Sequence, residues 1–238
     1  MEALLRVLSS LFIFQFLFSV NEANCKYKNL SSTHTMCIYS AKVACKAIER
    51  GITPSDVKVI VDSHNTIRSQ IAINKSASNM LKMEWDPELA EVAQRLVDQC
   101  KYQRDCFDCR VVERFFAVGQ IIHRTRKTAE LAKNLNDTSS EWKRIIQIWG
   151  KPKVKISESV RKSYVSKEAH NTYSQVIWAE SQYVGCGFIS FVNTNQVVKM
   201  YVCNYGPAGN MLEEPIYQSG APCSACPTNS TCSSGLCS

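Results

Sequence analysis

Apolar residues recur at helical spacing along three stretches of this chain, and two further stretches carry the composition of strands. Val57, Ile60, Val61, His64, Ile67 and Ile71 fall on one stripe, the signature of a helix with one buried face. Thr53-Pro54 supplies its start, with proline at the first helical position. His64 lies on that apolar stripe, which reads it as a core histidine with a satisfied hydrogen bond. Asp86-Pro87 opens a second helix, in which Leu89, Val92, Ala93, Leu96, Val97 and Cys100 keep the same period and turn Cys100 inward. Thr138 and Glu141 have the spacing of a capping box. Trp142, Ile145, Ile146 and Trp149 then form the face of a third helix, which Gly150 and Pro152 end.

The strand signals lie further on. Tyr183–Val192 and Val197–Asn204 are rich in Val, Tyr, Phe and Ile, whereas the earlier Phe115–Ile122 is an apolar run around a Gly-Gln pair with no element assigned to it. The polar tetrapeptide Asn193–Gln196 suits a four-residue hairpin loop. Pairing Val192 with Val197 and counting back places Cys186 opposite Cys203. That is within disulfide reach for directly opposed residues. Two segments lack such periodicity: residues 24–55, and the polar, basic stretch 150–171. Strong apolar faces on both helices and strands imply a layered α/β protein.

Composition assigns the compartment. Arg6 followed by the short, interrupted apolar run Val7–Val20 and the small residue Ala23 reads as a signal peptide over residues 1–23. All twelve cysteines follow it, an even number that reads as a disulfide framework in a secreted chain. Four N-x-S/T sequons, at Asn29, Asn74, Asn136 and Asn229, fit glycosylation in the same compartment. Removing residues 1–23 leaves 27 basic and 19 acidic residues, a net charge of +8. Much of that excess lies between Arg124 and Lys162, where eleven Lys/Arg face four Asp/Glu. This stretch, with Lys151, Lys153 and Lys155 in it, is either a solvated basic face or a contact for an anionic glycan or membrane surface. Motifs for nucleotides or nucleic acid are absent. Cys106-Phe-Asp-Cys109 has the spacing of a redox pair, but oxidising secretion without a βαβ pattern argues against that use. The tail cysteines Cys223, Cys226, Cys232 and Cys237 could ligate zinc as thiolates, or close two disulfides, as oxidising secretion favours.

Two segments carry a family resemblance. Thr172–Gly187 (TYSQVIWAESQYVGCG) and Met200–Met211 (MYVCNYGPAGNM) resemble the two signatures of the CAP superfamily, which comprises cysteine-rich secretory proteins, insect antigen 5 venom allergens and plant pathogenesis-related proteins. The likeness continues upstream through His64-Asn65 and Leu81–Cys100, and its flavour is closest to insect venom allergen 5. The resemblance implies a three-layer α-β-α sandwich over residues 56–212, with a cysteine-containing N-terminal extension (24–55) and a small cysteine-rich tail (213–238). It also implies the bridges Cys25–Cys37 and Cys45–Cys100. Antigen 5 patterns usually carry a further extension cysteine where this chain has Asn29, and its absence leaves Cys106 and Cys109 to bridge each other.

Many members of that superfamily gather two histidines and two acidic residues around a central cleft that can take a divalent metal. The matching positions here are Arg104 (after Cys100-Lys-Tyr-Gln), Gln120 (within Gly-Gln-Ile), Pro152 (three residues after Trp149) and Thr172 (before Tyr-Ser-Gln). Arginine stays protonated and cannot ligate, Gln120 cannot act as a base, and Pro152 offers no donor atom. The sequence therefore leads to the expectation of no metal, no other cofactor and no catalytic residue. The resemblance then implies a secreted, non-enzymatic binding or signalling protein whose partner is an extracellular receptor, a lipid or a sterol. The competing expectation is a metal-dependent hydrolase working in the cleft.

Overall fold

A computed structural model of the chain describes residues 25–128 and 139–238. The signal-peptide stretch, Thr138 and the Asn136 sequon lie outside the described residues. The centre is a hairpin. Strands β4 (Tyr183–Asn193) and β5 (Gln196–Gly206) pair antiparallel, Val192 against Val197 and Cys186 against Cys203. The two cysteines are bonded, with their Cα atoms 4.0 Å apart. The connection is shorter than the expected tetrapeptide. Asn193 and Gln196 themselves pair, so only Thr194 and Asn195 make the turn, with Thr194 at φ +54°.

Three more strands complete the sheet. β3 (Gly119–Thr128) runs antiparallel along β5 and forms one edge. β1 (Ala47–Arg50) lies antiparallel on the far side of β4, and β2 (Glu84–Trp85) adds a short parallel contact to β4. β1 comes from the aperiodic extension. Four residues of alternating exposure are too short to stand out as a pattern, yet they are hydrogen-bonded into the sheet.

Side chains of β4 and β5 alternate between two helical layers. On one face Val184, Cys186, Phe188, Tyr201, Cys203 and Tyr205 pack with helix α2 (Pro54–Lys75), helix α4 (Trp142–Trp149) and helix α6 (Glu168–Val176). On the other face Ile189, Phe191, Val198, Met200 and Val202 meet Ala93, Leu96 and Val97 of helix α3 (Pro87–Val97). The close approach of α3 depends on two glycines. A Cβ at Gly185 would lie 2.2 Å from the Ala90 amide nitrogen, and one at Gly187 would lie 2.5 Å from that of Gln94. The architecture is the expected α-β-α sandwich.

The helix starts follow local chemistry. Thr53 and Asp56 form a reciprocal capping box on α2, and the Asp86 carboxylate accepts from the Leu89 amide at 2.8 Å on α3. The third start departs from expectation. Glu141 is the N-cap residue of α4 and not its third residue, and its carboxylate is engaged by Arg144 and Lys199. The stretch 150–171 is also more ordered than a polar connection. It contains helix α5 (Glu158–Lys162), capped by Ser157, and the first turn of α6.

The extension and the tail are fastened from outside the sandwich. Helix α1 (Thr35–Ile38) sits on α3, where Arg95 donates to the carbonyls of Met36 and Tyr39. The Cys25–Cys37 and Cys45–Cys100 bridges, and a two-bonded Arg50–Asp98 ion pair, hold the rest. Cys106–Cys109 is closed. The tail forms a small hairpin, β6 (Cys232–Ser233) with β7 (Leu236–Cys237), bridged Cys223–Cys232 and Cys226–Cys237. It has no core of its own, and it buries Leu236 and Cys237 against the body instead. Asn29, Asn74 and Asn229 are exposed, as glycan acceptors must be.

Candidate functional site: a cationic cleft at the sheet edge

Because β3 is an edge strand, it leaves a groove between itself and the helices beyond. This cleft has a volume of about 500 Å³. Ile122 and His123 of β3 form part of its floor, and the end of α4 supplies Trp149. Lys151 and Lys153 reach in from the segment after α4, Glu168, Thr172 and Tyr173 from α6, and Tyr102 and Arg104 from the loop after α3.

The four family positions divide. Arg104 and Thr172 line the cleft. Gln120 is buried and does not line it, and its amide nitrogen donates to Asp105 Oδ1 at 2.9 Å and to Asn204 Oδ1 at 3.1 Å. The Gln120 backbone carbonyl accepts from Arg104 Nη1 at 3.1 Å, which ties two of the positions together. Pro152 is turned away. It lines a second groove of about 460 Å³, floored by Ile156, Ile177 and Ile216. The same turn separates the lysines, since Lys151 and Lys153 face the cleft while Lys155 faces the second groove.

Three of the four histidines are engaged in the fold. His34 caps α1 through Nδ1 and donates from Nε2 to the Val111 carbonyl at 2.8 Å. His64 donates from Nδ1 to the Ile60 carbonyl at 2.8 Å, and its Nε2 accepts from the Tyr205 hydroxyl at 3.0 Å. Complete burial pushes its pKa down to about 4. His170 is buried, donates to the Val165 carbonyl at 2.9 Å and does not line the cleft.

The histidine that does reach the cleft is His123, between the rings of Trp149 and Tyr201. Burial, reinforced by Arg144 and Lys153, lowers its pKa and favours the neutral ring. Sequence reasoning assigned no role to His123 or to Glu168. A usable signal existed for Glu168, which precedes Thr172 by four residues and therefore shares its helix face.

These donors do not fit a divalent cation. The cleft brings one imidazole and one carboxylate among three fixed or mobile positive charges, whereas a catalytic zinc site uses three protein ligands. Among the described residues, the single cluster of three His, Cys, Asp or Glu ligand atoms is Cys223, Cys226 and Cys237 in the tail. Its sulfurs are consumed by disulfides. Among the described residues, no hydroxyl of the cleft is hydrogen-bonded to His123 or Glu168 as a nucleophile would be to its base. What it holds is positive charge. Arg104 keeps one hydrogen bond and no ion pair among the described residues, and burial lowers its pKa.

The family model for the cysteine-rich secretory protein family, CAP, matches residues 61–205, more than half of the chain. The chain belongs to the CAP family. It is 40% identical over 232 residues to the "Cysteine-rich venom protein" of Tityus serrulatus, a match covering 89% of this chain and 52% of that protein, so the chain spans about half the length of that relative. It is 36% identical to "Venom allergen 5" of Brachyponera chinensis, over 79% of this chain and 98% of the relative. Among solved CAP structures, that of BmVAL-1 superposes with a TM-score of 0.64 at 25% identity, covering 81% of this chain and 98% of that one. The venom allergen 5 character read from Thr172–Gly187 and Met200–Met211 thus holds across most of this CAP chain.

Proposed function

We propose that this protein is secreted and acts without catalysis, as a disulfide-stabilised scaffold that binds an anionic surface or partner in extracellular fluid. The names of its relatives support the compartment, since two of them are venom proteins. The observation that carries the reading is the ridge formed by residues 151–155. Lys151 and Lys153 open on one cavity, and Lys155, joined by Lys75, opens on the other. Exposed cations on both flanks of one ridge can follow a polyanion such as a sulfated glycan or an anionic membrane surface. A protein receptor or a lipid would use the same scaffold through other surfaces, and affinity capture from extracellular fluid with the glycosylated protein as bait tests for these.

Retention on immobilised heparin provides the direct test. The triple variant K151E/K153E/K155E should elute at markedly lower salt than the parent, because interactions of exposed charges are screened beyond about 8–10 Å at physiological ionic strength. Unchanged elution would return the ridge to the status of a solvated face.

A further inference from the structure

We infer that the cleft at the β3 edge is a binding site for a small aromatic anion, with Arg104 as the residue that engages its charged group. The inference rests on the reading of this protein as a binder, but not on the polyanion ridge.

Three features of the cleft specify the ligand. The first is charge. Arg104, Lys151 and Lys153 line it against the single carboxylate of Glu168, and His123 is held towards its neutral form by burial and by neighbouring cations. The excess of two positive charges calls for a group with one or two negative charges. The second is unused hydrogen-bonding capacity. A guanidinium has five N–H donors in a planar fork, and Arg104 uses one of them, on the Gln120 carbonyl. The rest are available for the fork-like contact that carboxylates, sulfates and phosphates accept. The third is the wall. Tyr102 and Tyr173 line the same space with accessible rings, and Tyr102 is itself covered by the Arg124 guanidinium at 4.2 Å. Rings suit a flat apolar body, and about 500 Å³ is within the range of small-molecule sites. An inorganic anion would leave those rings unused, and a neutral aromatic would leave the cations unused.

The test uses the mature glycosylated protein and isothermal titration calorimetry with naphthalene-2-sulfonate as probe and naphthalene-2-methanol as its neutral counterpart. The sulfonate should bind at least tenfold more tightly than the alcohol. R104M should weaken sulfonate binding about tenfold or more and leave the alcohol unchanged, while R104K should recover part of the loss. E168Q removes the opposing charge and should tighten sulfonate binding severalfold, a gain that misfolding cannot mimic. K155E/R161E alters the second groove and should change nothing. Equal affinities for the two probes would overturn the inference, as would an unchanged dissociation constant in both R104M and E168Q, or a loss confined to K155E/R161E. Heparin retention is read separately, so failure of the ridge and failure of the cleft are distinguishable.

Discussion

Two arginines of this protein occupy opposite regimes. Arg68, on α2, is wholly buried, and its guanidinium makes five hydrogen bonds to four backbone carbonyls: those of Leu81 (twice, at 2.9 and 2.7 Å), Val176, Trp178 and Ala179. Arg104 stands partly exposed at the cleft with one bond. Burial lowers the pKa of both, to about 9 for Arg68, yet at neutral pH each remains a cation. The difference lies in saturation. Every donor of Arg68 is spent on backbone carbonyls of the loops and of the last turn of α6, so it serves the fold, whereas the other N–H groups of Arg104 have no hydrogen-bond partner among the described residues.

Removing the saturated arginine should have the largest effect. R68M takes one donor from the Trp178 and Ala179 carbonyls, which keep the amides of Ser181 and Leu81, and leaves the buried Leu81 and Val176 carbonyls short of a partner; such losses typically cost about 3–5 kcal/mol. Chemical denaturation should show that loss for R68M and less than about 1 kcal/mol for R104M. Comparable stability losses in the two variants would dissolve the contrast.

A neighbour of Arg68 sharpens the same contrast through pH. His64 has a native pKa of about 4, against an unfolded value near 6.5. The unfolded chain therefore takes up the proton first. The stabilisation is complete above about pH 6.5, declines as pH falls, and stops declining below about pH 4. At about 1.4 kcal/mol per unit, the amount lost is on the order of 3 kcal/mol. H64Q should be less stable than the parent at pH 7 but show a flatter stability profile from pH 6.5 to 4. A parent profile that is already flat there would remove His64 from the account.

The smallest expected effect is none at all. Zinc titrated into metal-free protein should give no stoichiometric, submicromolar heat, because Arg104 and its lysine neighbours oppose a cation in the cleft. A tight event abolished in both H123A and E168A would make the cleft a metal site and reopen the hydrolase alternative.

How much of this could be read from the chain alone differs by region. The stripes of α2 and α3, and the hairpin register that brings Cys186 to Cys203, were legible because periodicity and opposite pairing are local rules. The same stripe concealed Arg68. It lies four residues after His64 and three before Ile71, on the buried face, but a guanidinium reads as a solvent-facing group until its carbonyl partners are known. β1 was illegible because four residues carry too little pattern. The cleft was half legible. Local motifs located Arg104 and Thr172, but the turn after α4 sends Pro152 and Lys155 to a different cavity, and a three-residue offset cannot report such a change of direction. His123 and Glu168 meet the cleft only through the packing of β3 beside α6.

The tail has a mechanical consequence. Cys237 donates to the Met80 carbonyl and accepts from the Lys82 amide, and between those residues lies Leu81, whose carbonyl receives two bonds from Arg68. Traction on the last residues is therefore carried into the best-anchored stretch of the interior. The Cys226–Cys237 bridge shares that load with the rest of the tail. Separating the hairpin from the body must break the two Cys237 bonds that flank the Leu81 carbonyl held by Arg68.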